Sequence, residues 1–176
     1  MFDTIAGLPL HPLVVHAVEV VVPAAALVLL VAAVWPRFRR WAYAMPLLLA
    51  LGSLVLVPVA TQSGEALLAR VGATPEIGVH LALGEQLLPW VVGLVVVAAA
   101  MFWLERRQRR LVTVADGPGT MPAAERDVRA VPRALTLLLI VAALAVSTGT
   151  TVQAIRIGHS GATAVWGQVG DNPSTG

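Results

Sequence analysis

Four long runs of apolar residues, separated by polar segments, dominate the chain. They cover approximately residues 13–35, 42–61, 85–104 and 134–155. Each run is close to the length of about 20 helical residues that a bilayer core requires. The pattern therefore predicts an all-α, polytopic integral membrane protein. A single domain over residues 1–176 would form an up-and-down four-helix transmembrane bundle.

The composition supports this prediction and narrows the chemistry. Hydrophobic residues make up 57% of the chain and charged residues 12%, which a water-soluble fold of this size could not bury. Cysteine is absent, so disulfide frameworks, thiolate metal sites and cysteine nucleophiles are excluded. Any metal or cofactor must therefore be held by His, Met or carboxylate side chains.

The arginines indicate an orientation. Ten of the 12 basic residues lie in the segments between the first and second runs and between the third and fourth runs, and only Arg70 and Arg156 lie elsewhere. The positive-inside rule then predicts a multi-pass cell-membrane protein with both termini extracytoplasmic and a cytoplasmic connector at about 105–133. The first run lacks a basic leader and is expected to be a retained helix. The lipid bilayer is the expected partner, and nucleic acid is not.

The segment between the second and third runs predicts helices that continue beyond the membrane. Residues 62–71 are amphipathic, and Gly72 is suited to a helix C-terminus. Thr74, Pro75 and Glu76 have the pattern of an N-cap, a first-turn proline and a carboxylate at the positive end of a helix.

All four histidines are expected at the extracytoplasmic end of the bundle. Counting about 20 residues along each span places His11, His80 and His159 at one level, roughly 7 Å beyond the hydrocarbon, with His16 deeper. Ionisable residues within spans normally face the bundle interior or a watery cavity. The polar residues near this end, including Glu19 and Glu85, therefore predict a chamber beneath the outer surface.

The histidine cluster favours a b-type haem or a transition-metal site with a redox or electron-transfer role. The preferred ligands are His16, His80 and His159, and His11 is either a ligand or a hydrogen-bond partner of one. Glu19 and Glu85 are further candidate metal ligands, and Arg156 is a candidate partner for a haem propionate. His11 and His16 lie about 140° apart on a helix, so they can share a centre only if Pro12 begins that helix. Because no histidine lies near the cytoplasmic end, two stacked haems are not expected. The electron partner would be a quinone or an extracytoplasmic redox protein.

Two alternatives remain open. The chain can be a structural or accessory membrane subunit whose polar outer face docks a partner without any cofactor. Its histidines would then form interhelical hydrogen bonds or sense pH. A membrane hydrolase with a metal-bound water and Glu19 or Glu85 as base is a further candidate. The chain lacks the His-Glu-x-x-His spacing that such enzymes often carry.

Several short motifs resemble those of a known bacterial membrane family. They are Leu8-Pro9-Leu10-His11-Pro12-Leu13-Val14-Val15-His16, Thr61-Gln62-Ser63-Gly64-Glu65, His80 with Gly84, and Gly158-His159-Ser160-Gly161. In this order they are similar to the family known as domain of unknown function 2231. The resemblance implies a four-helix integral membrane protein with a redox association. Members commonly carry Phe-Pro after the second histidine, where this chain has Ala17-Val18-Glu19.

Overall fold

A computed structural model describes residues 4–5, 8–115 and 132–170, with side chains over 10–110 and 132–166. The helices are α1 (Leu10–Val34), α2 (Pro36–Ala42), α3 (Met45–Val71), α4 (Pro75–Glu85), α5 (Leu87–Ala115) and α6 (Arg133–Gly170). Before α1, the short strands β1 (Thr4–Ile5) and β2 (Leu8–Pro9) pair in antiparallel fashion.

Four helical stretches are long and apolar enough to cross a membrane. They are Leu10–Val34, Met45–Val71, Pro75–Arg110 and Arg133–Trp166, so α4 and α5 together form the third. The predicted all-α polytopic membrane fold is confirmed. Many leucine and valine side chains on the outer faces are exposed, as expected for surfaces that contact lipid.

The core combines alanines from all four long helices with larger aliphatic residues of α1 and α5. α1 packs against α3 and α6, and α5 packs against the same two helices. Ala25, Ala26, Ala32 and Ala33 of α1 are buried in the larger cluster, together with Leu29 of the same helix and Leu94 of α5. Small side chains allow helix backbones to approach closely, and close packing is the main attraction between helices in lipid.

The two ends of the bundle differ in chemistry. We call the end where α1 begins and α3 terminates the histidine end, and the opposite end, around α2, the arginine end. At the histidine end α3 continues to Val71 and α4 starts at Pro75, which confirms the predicted extension of both helices. The hydroxyl oxygen of Thr74 accepts a hydrogen bond from the Ile77 amide at 3.3 Å, which confirms the predicted N-cap.

At the arginine end, the helical part of α5 is longer than the apolar pattern predicts. α5 continues to Ala115, so the first residues of the predicted connector at 105–133 are helical. Apolar length marks only the part of a helix that lies in lipid, and hydrogen bonding along α5 does not end there. The remainder of that connector, residues 116–131, lies outside the described residues.

Glu105 is a buried carboxylate at this end and is only 5% exposed. Its Oε2 lies 3.5 Å from Nε of Arg39, and its Oε1 accepts a hydrogen bond from Nε of Arg109 at 3.2 Å. Two guanidinium groups therefore compensate the buried charge. The Arg39 contact ties α2 to α5, whereas the Arg109 bond lies within α5.

A break separates α4 from α5 at Gln86. Pro89 follows three residues later, and a proline ring cannot sit beside the carbonyl four residues before it without displacing the helix. The amide of the buried Gln153 on α6 donates to the Leu83 carbonyl oxygen at 2.7 Å. This bond satisfies a carbonyl next to the break and fixes α4 against α6.

Candidate functional site: a cavity between two histidines

A small inner cavity of about 70 Å³ lies at the histidine end, where α1, α3, α4, α5 and α6 meet. His11 and His80 both line it, together with Glu19 and a surround of aliphatic residues and glycines. An outer cavity of about 620 Å³ shares these three side chains and adds His16 and Trp166. Two imidazoles from separate helices therefore border one mostly apolar space.

His11, the second residue of α1, is held by α3. Its Nδ1 lies 3.1 Å from the Ala60 carbonyl oxygen and 3.2 Å from Oγ of Ser63. A carbonyl oxygen only accepts, and the Ser63 hydroxyl donates to the same carbonyl at 3.0 Å. This network assigns the proton to Nδ1, which leaves Nε2 of the neutral ring with a free lone pair.

His80 on α4 is held in the same way by α6. Its Nδ1 lies 3.0 Å from Oγ of Ser160, and that hydroxyl donates to the Ile157 carbonyl oxygen at 2.9 Å. Because the serine proton is used in that bond, Nδ1 of His80 is assigned as the donor to Ser160. Nε2 of His80 therefore also carries a lone pair in the neutral ring.

A glycine follows each of these serines and makes room for the ring. A β-carbon placed on Gly64 would lie 3.0 Å from Cε1 of His11, and one placed on Gly161 would lie 3.1 Å from Cε1 of His80. Both distances are shorter than ordinary van der Waals contact. The two imidazoles thus lie against helix backbone. A β-carbon on Gly84, by contrast, would meet nothing within 4 Å.

Glu19 is the acidic residue in the described lining of the inner cavity. It lies two turns below His11 on α1, and its Oε1 would be 3.7 Å from a β-carbon on Gly158 of α6. The carboxylate therefore sits at the boundary between α1 and α6. The residue is exposed, so its carboxylate lies at the edge of the cavity.

The other candidate ligands do not join this pair. His16 is exposed, and its Nδ1 bonds to the carbonyl oxygen of Pro12 on the same helix, although it lines the outer cavity. His159 and Arg156 border a separate cavity of about 340 Å³. Glu85 is an exposed residue at the end of α4 and is not part of the described lining of the inner or outer cavity.

The condition for a shared His11–His16 centre is not met. α1 begins at Leu10, so His11 is already helical and does not occupy a preceding turn. Pro12 is the third residue of α1, a position in the first turn where a proline is tolerated because its missing amide would have no partner within the helix. Within the described residues, no group of three or more His, Asp or Glu side chains is arranged to hold a metal ion.

Sequence reasoning missed the groups that orient the two rings. Ser63 was one of many polar residues at this end, and Ser160 entered only through a family motif. The available signal was the Ser-Gly dipeptide, which occurs near the end of α3 and again in α6. Such a dipeptide combines a hydroxyl with a site of close approach, and this is what each histidine uses.

A protein-family model matches the chain, whereas no curated protein and no solved structure does. A family model described as "Predicted membrane protein (DUF2231)" matches residues 7–172, which include both histidines and both serines of the site. The chain therefore belongs to the DUF2231 family of predicted membrane proteins.

Proposed function

We propose that this protein binds a b-type haem or a transition metal between His11 and His80 and has a redox or electron-transfer role. One observation carries the proposal: two imidazoles from different helices line one apolar cavity, and each has its Nδ1 held by a neighbouring helix. Ligating histidines commonly donate their second nitrogen to a carbonyl or another acceptor, which fixes the ring and its tautomer. Both rings here are arranged in this way.

The number of donors favours haem over a bare metal ion. A zinc or copper site built from side chains usually needs three or more protein ligands, and the described residues offer no such group. A haem brings its own equatorial nitrogens and needs at most two axial ligands from the protein. The outer cavity, at about 620 Å³, is also within the range of small-molecule and cofactor sites.

The residues around the two histidines have separate roles in the proposed site. Ser63 and Ser160 orient the rings, the aliphatic lining excludes water, and Glu19 adds an exposed carboxylate at the edge of the cavity. Arg156 borders the separate cavity with His159, and neither residue is part of this site as we propose it.

The position of the site limits the route of the electrons. His11, His16, His80 and His159 all lie towards one end of the bundle, and the chain has 4 histidines in total. A second bis-histidine haem at the arginine end would have no imidazole ligands. We therefore propose electron exchange with a quinone or an extracytoplasmic redox protein at the histidine end.

The test is an optical spectrum of the detergent-purified protein, oxidised and then reduced, with iron and other metals measured on the same sample. We expect a Soret band, a sharpened visible band on reduction and one haem per chain. His11→Ala and His80→Ala should lose the low-spin spectrum, whereas the control His159→Ala should keep it. A protein that carries no metal, shows no Soret band and takes up no added haemin would refute the proposal.

An accessory role without a cofactor is the second candidate, and one observation favours it. The His11–Ser63 and His80–Ser160 bonds join pairs of helices without any ligand, as interhelical hydrogen bonds do in many membrane proteins. Under this alternative, His11→Ala and His80→Ala lower thermal stability in detergent, and the wild-type protein does not bind haemin.

A further inference from the structure

The two histidine contacts are the same arrangement occurring twice. In each, a histidine near the start of a hairpin bonds through Nδ1 to a serine near the hairpin's end. In each, that serine donates to the carbonyl three residues before it, and the glycine after it packs under the ring. The first arrangement joins α1 to α3, and the second joins α4 to α6.

The correspondence continues along the helices. We call α1 and the α4–α5 helix the descending helices, because both run away from the histidine end. Residues of α4–α5 follow their counterparts in α1 at one constant spacing along the chain: His11 and His80, Val18 and Leu87, Val22 and Val91, Ala25 and Leu94, Leu29 and Ala98. Val22 and Val91 are both fully buried in one cluster. The residues that pack the first hairpin are therefore matched by those that pack the second.

We call α3 and α6, which run towards the histidine end, the ascending helices. Corresponding residues on these two helices also lie at one constant spacing along the chain. Ser53 and Thr150 correspond, as do Ser63 and Ser160. Ser53 and Thr150 are both 0% exposed, and each donates its hydroxyl to the carbonyl four residues earlier. Buried hydroxyls with the same bond at matching positions are not required by the apolar pattern, so they are independent support for a repeat.

The packing fits a two-fold axis along the bundle. α1 and the α4–α5 helix both run away from the histidine end, α3 and α6 both run towards it, and each descending helix packs against both ascending ones. Exchanging the two hairpins therefore preserves direction and contacts, as in membrane proteins with parallel repeats about the membrane normal. The inner cavity is lined by corresponding residues: His11 with His80, Val18 with Leu87, and Ala60 with Ile157.

From this placement we infer that the chain is a tandem repeat of one helical hairpin and that the inner cavity lies on its pseudo-two-fold axis. A single ligand bound there meets His11 and His80 as equivalent donors from opposite sides. The ligand class is a planar metal macrocycle. The inner cavity, at about 70 Å³, is smaller than such a ring, so the ring would extend into the outer cavity of about 620 Å³. The outer cavity is also lined by corresponding residues: His11 with His80, Gly64 with Gly161, and Leu67 with Ala164. This inference rests on the proposed function and adds to it the equivalence of the two donors, with Ser63 and Ser160 as matched positioning residues.

The experiment compares matched variants in haemin titrations of the full-length protein in detergent. We expect Ser63→Ala and Ser160→Ala each to weaken binding by about 10- to 100-fold, with similar losses, because both remove the partner that orients a ligand. His11→Ala and His80→Ala should each give a high-spin spectrum that returns to low-spin when imidazole is added. Ser53→Ala, which removes a buried hydroxyl that bonds within its own helix, is the control and should keep the wild-type affinity.

Different results would contradict the equivalence of His11 and His80 and the proposed binding of haem. One haem per chain with equal responses of the matched variants supports both. Haem binding that depends on one histidine but not the other, or two haems per chain, overturns the equivalence while haem binding itself stands. A wild-type protein that binds no haemin overturns both together.

Discussion

The indole ring of Trp90 on α5 occupies the space that a β-carbon on Gly149 of α6 would need. Such a carbon would lie 2.1 Å from Cζ3 of the indole, so only glycine is compatible with this ring position. The contact brings α5 and α6 together at a level farther from the histidine end than the inner cavity. It is a steric relationship that neither residue reveals alone.

We expect Gly149→Ala to displace the indole and to destabilise the bundle by about 1–3 kcal/mol, the usual cost of overpacking. Thermal unfolding in detergent measures this. Trp90→Ala combined with Gly149→Ala should cost less than the sum of the two single changes, since the clash is gone. Gly52→Ala is the control, because a β-carbon there meets nothing within 4 Å. Additive costs in the double variant would contradict the contact.

The glycines beneath the histidines give a milder prediction. Gly64→Ala and Gly161→Ala should each push an imidazole by a few tenths of an ångström, because the new carbon meets Cε1 at 3.0 Å and 3.1 Å. We expect weaker haemin binding with little loss of fold. Titration and circular dichroism of the same samples check this, with Gly78→Ala as the open-space control. Unchanged affinity in both variants would show that the ring positions do not matter for binding.

The carboxylate of Glu105 should be a stability determinant at the arginine end. Glu105→Gln removes its charge beside Arg39 and Arg109, and we expect a loss of about 1.5–3 kcal/mol, the range for hydrogen bonds to charged groups. The arginines are partly exposed and regain water, which keeps the loss below that of a stranded buried charge. Glu65→Gln, at an exposed site, should change stability by no more than about 0.5 kcal/mol. Equal stability of the two variants would rule out the role of Glu105.

The orientation of the bundle can be read from single cysteines, since the chain has none of its own. Ala73→Cys, between α3 and α4, should react with a membrane-impermeant maleimide in intact cells. Gln108→Cys, near the end of α5, should react only after the membrane is permeabilised, because the arginine-rich segments are expected inside. The cysteine-free parent is the labelling control. The reverse pattern would place the termini in the cytoplasm.

The fold was readable from the sequence because lipid imposes strong rules. Backbone groups in hydrocarbon must be satisfied within the segment, so a run of about 20 apolar residues has few outcomes other than a helix. The extension of α3 and α4 was readable for another reason, since Thr74 and Pro75 carry capping chemistry that acts locally. The continuation of α5 beyond residue 105 has no such local signal.

The site was readable in part. Residue counting placed His11, His80 and His159 at one level, but height along a helix does not determine rotation about it. Neighbouring helical residues lie about 100° apart, so when Ser160 faces His80 its neighbour His159 must turn away. The pairing of His11 with His80 depends on which faces of four helices meet. That is a property of packing, and no single segment contains it.

The length of α6 has a practical consequence. Its 38 residues correspond to about 57 Å of helix, whereas a bilayer core is about 30 Å thick, so a long portion must stand clear of the lipid. The His80–Ser160 bond lies well before the end of that portion, and the side chain of Trp166, farther along the helix, is exposed. The residues of α6 that follow Trp166 can therefore be removed without loss of the His80–Ser160 bond. The C-terminal end of α6 is therefore a suitable place to attach a tag or a surface tether.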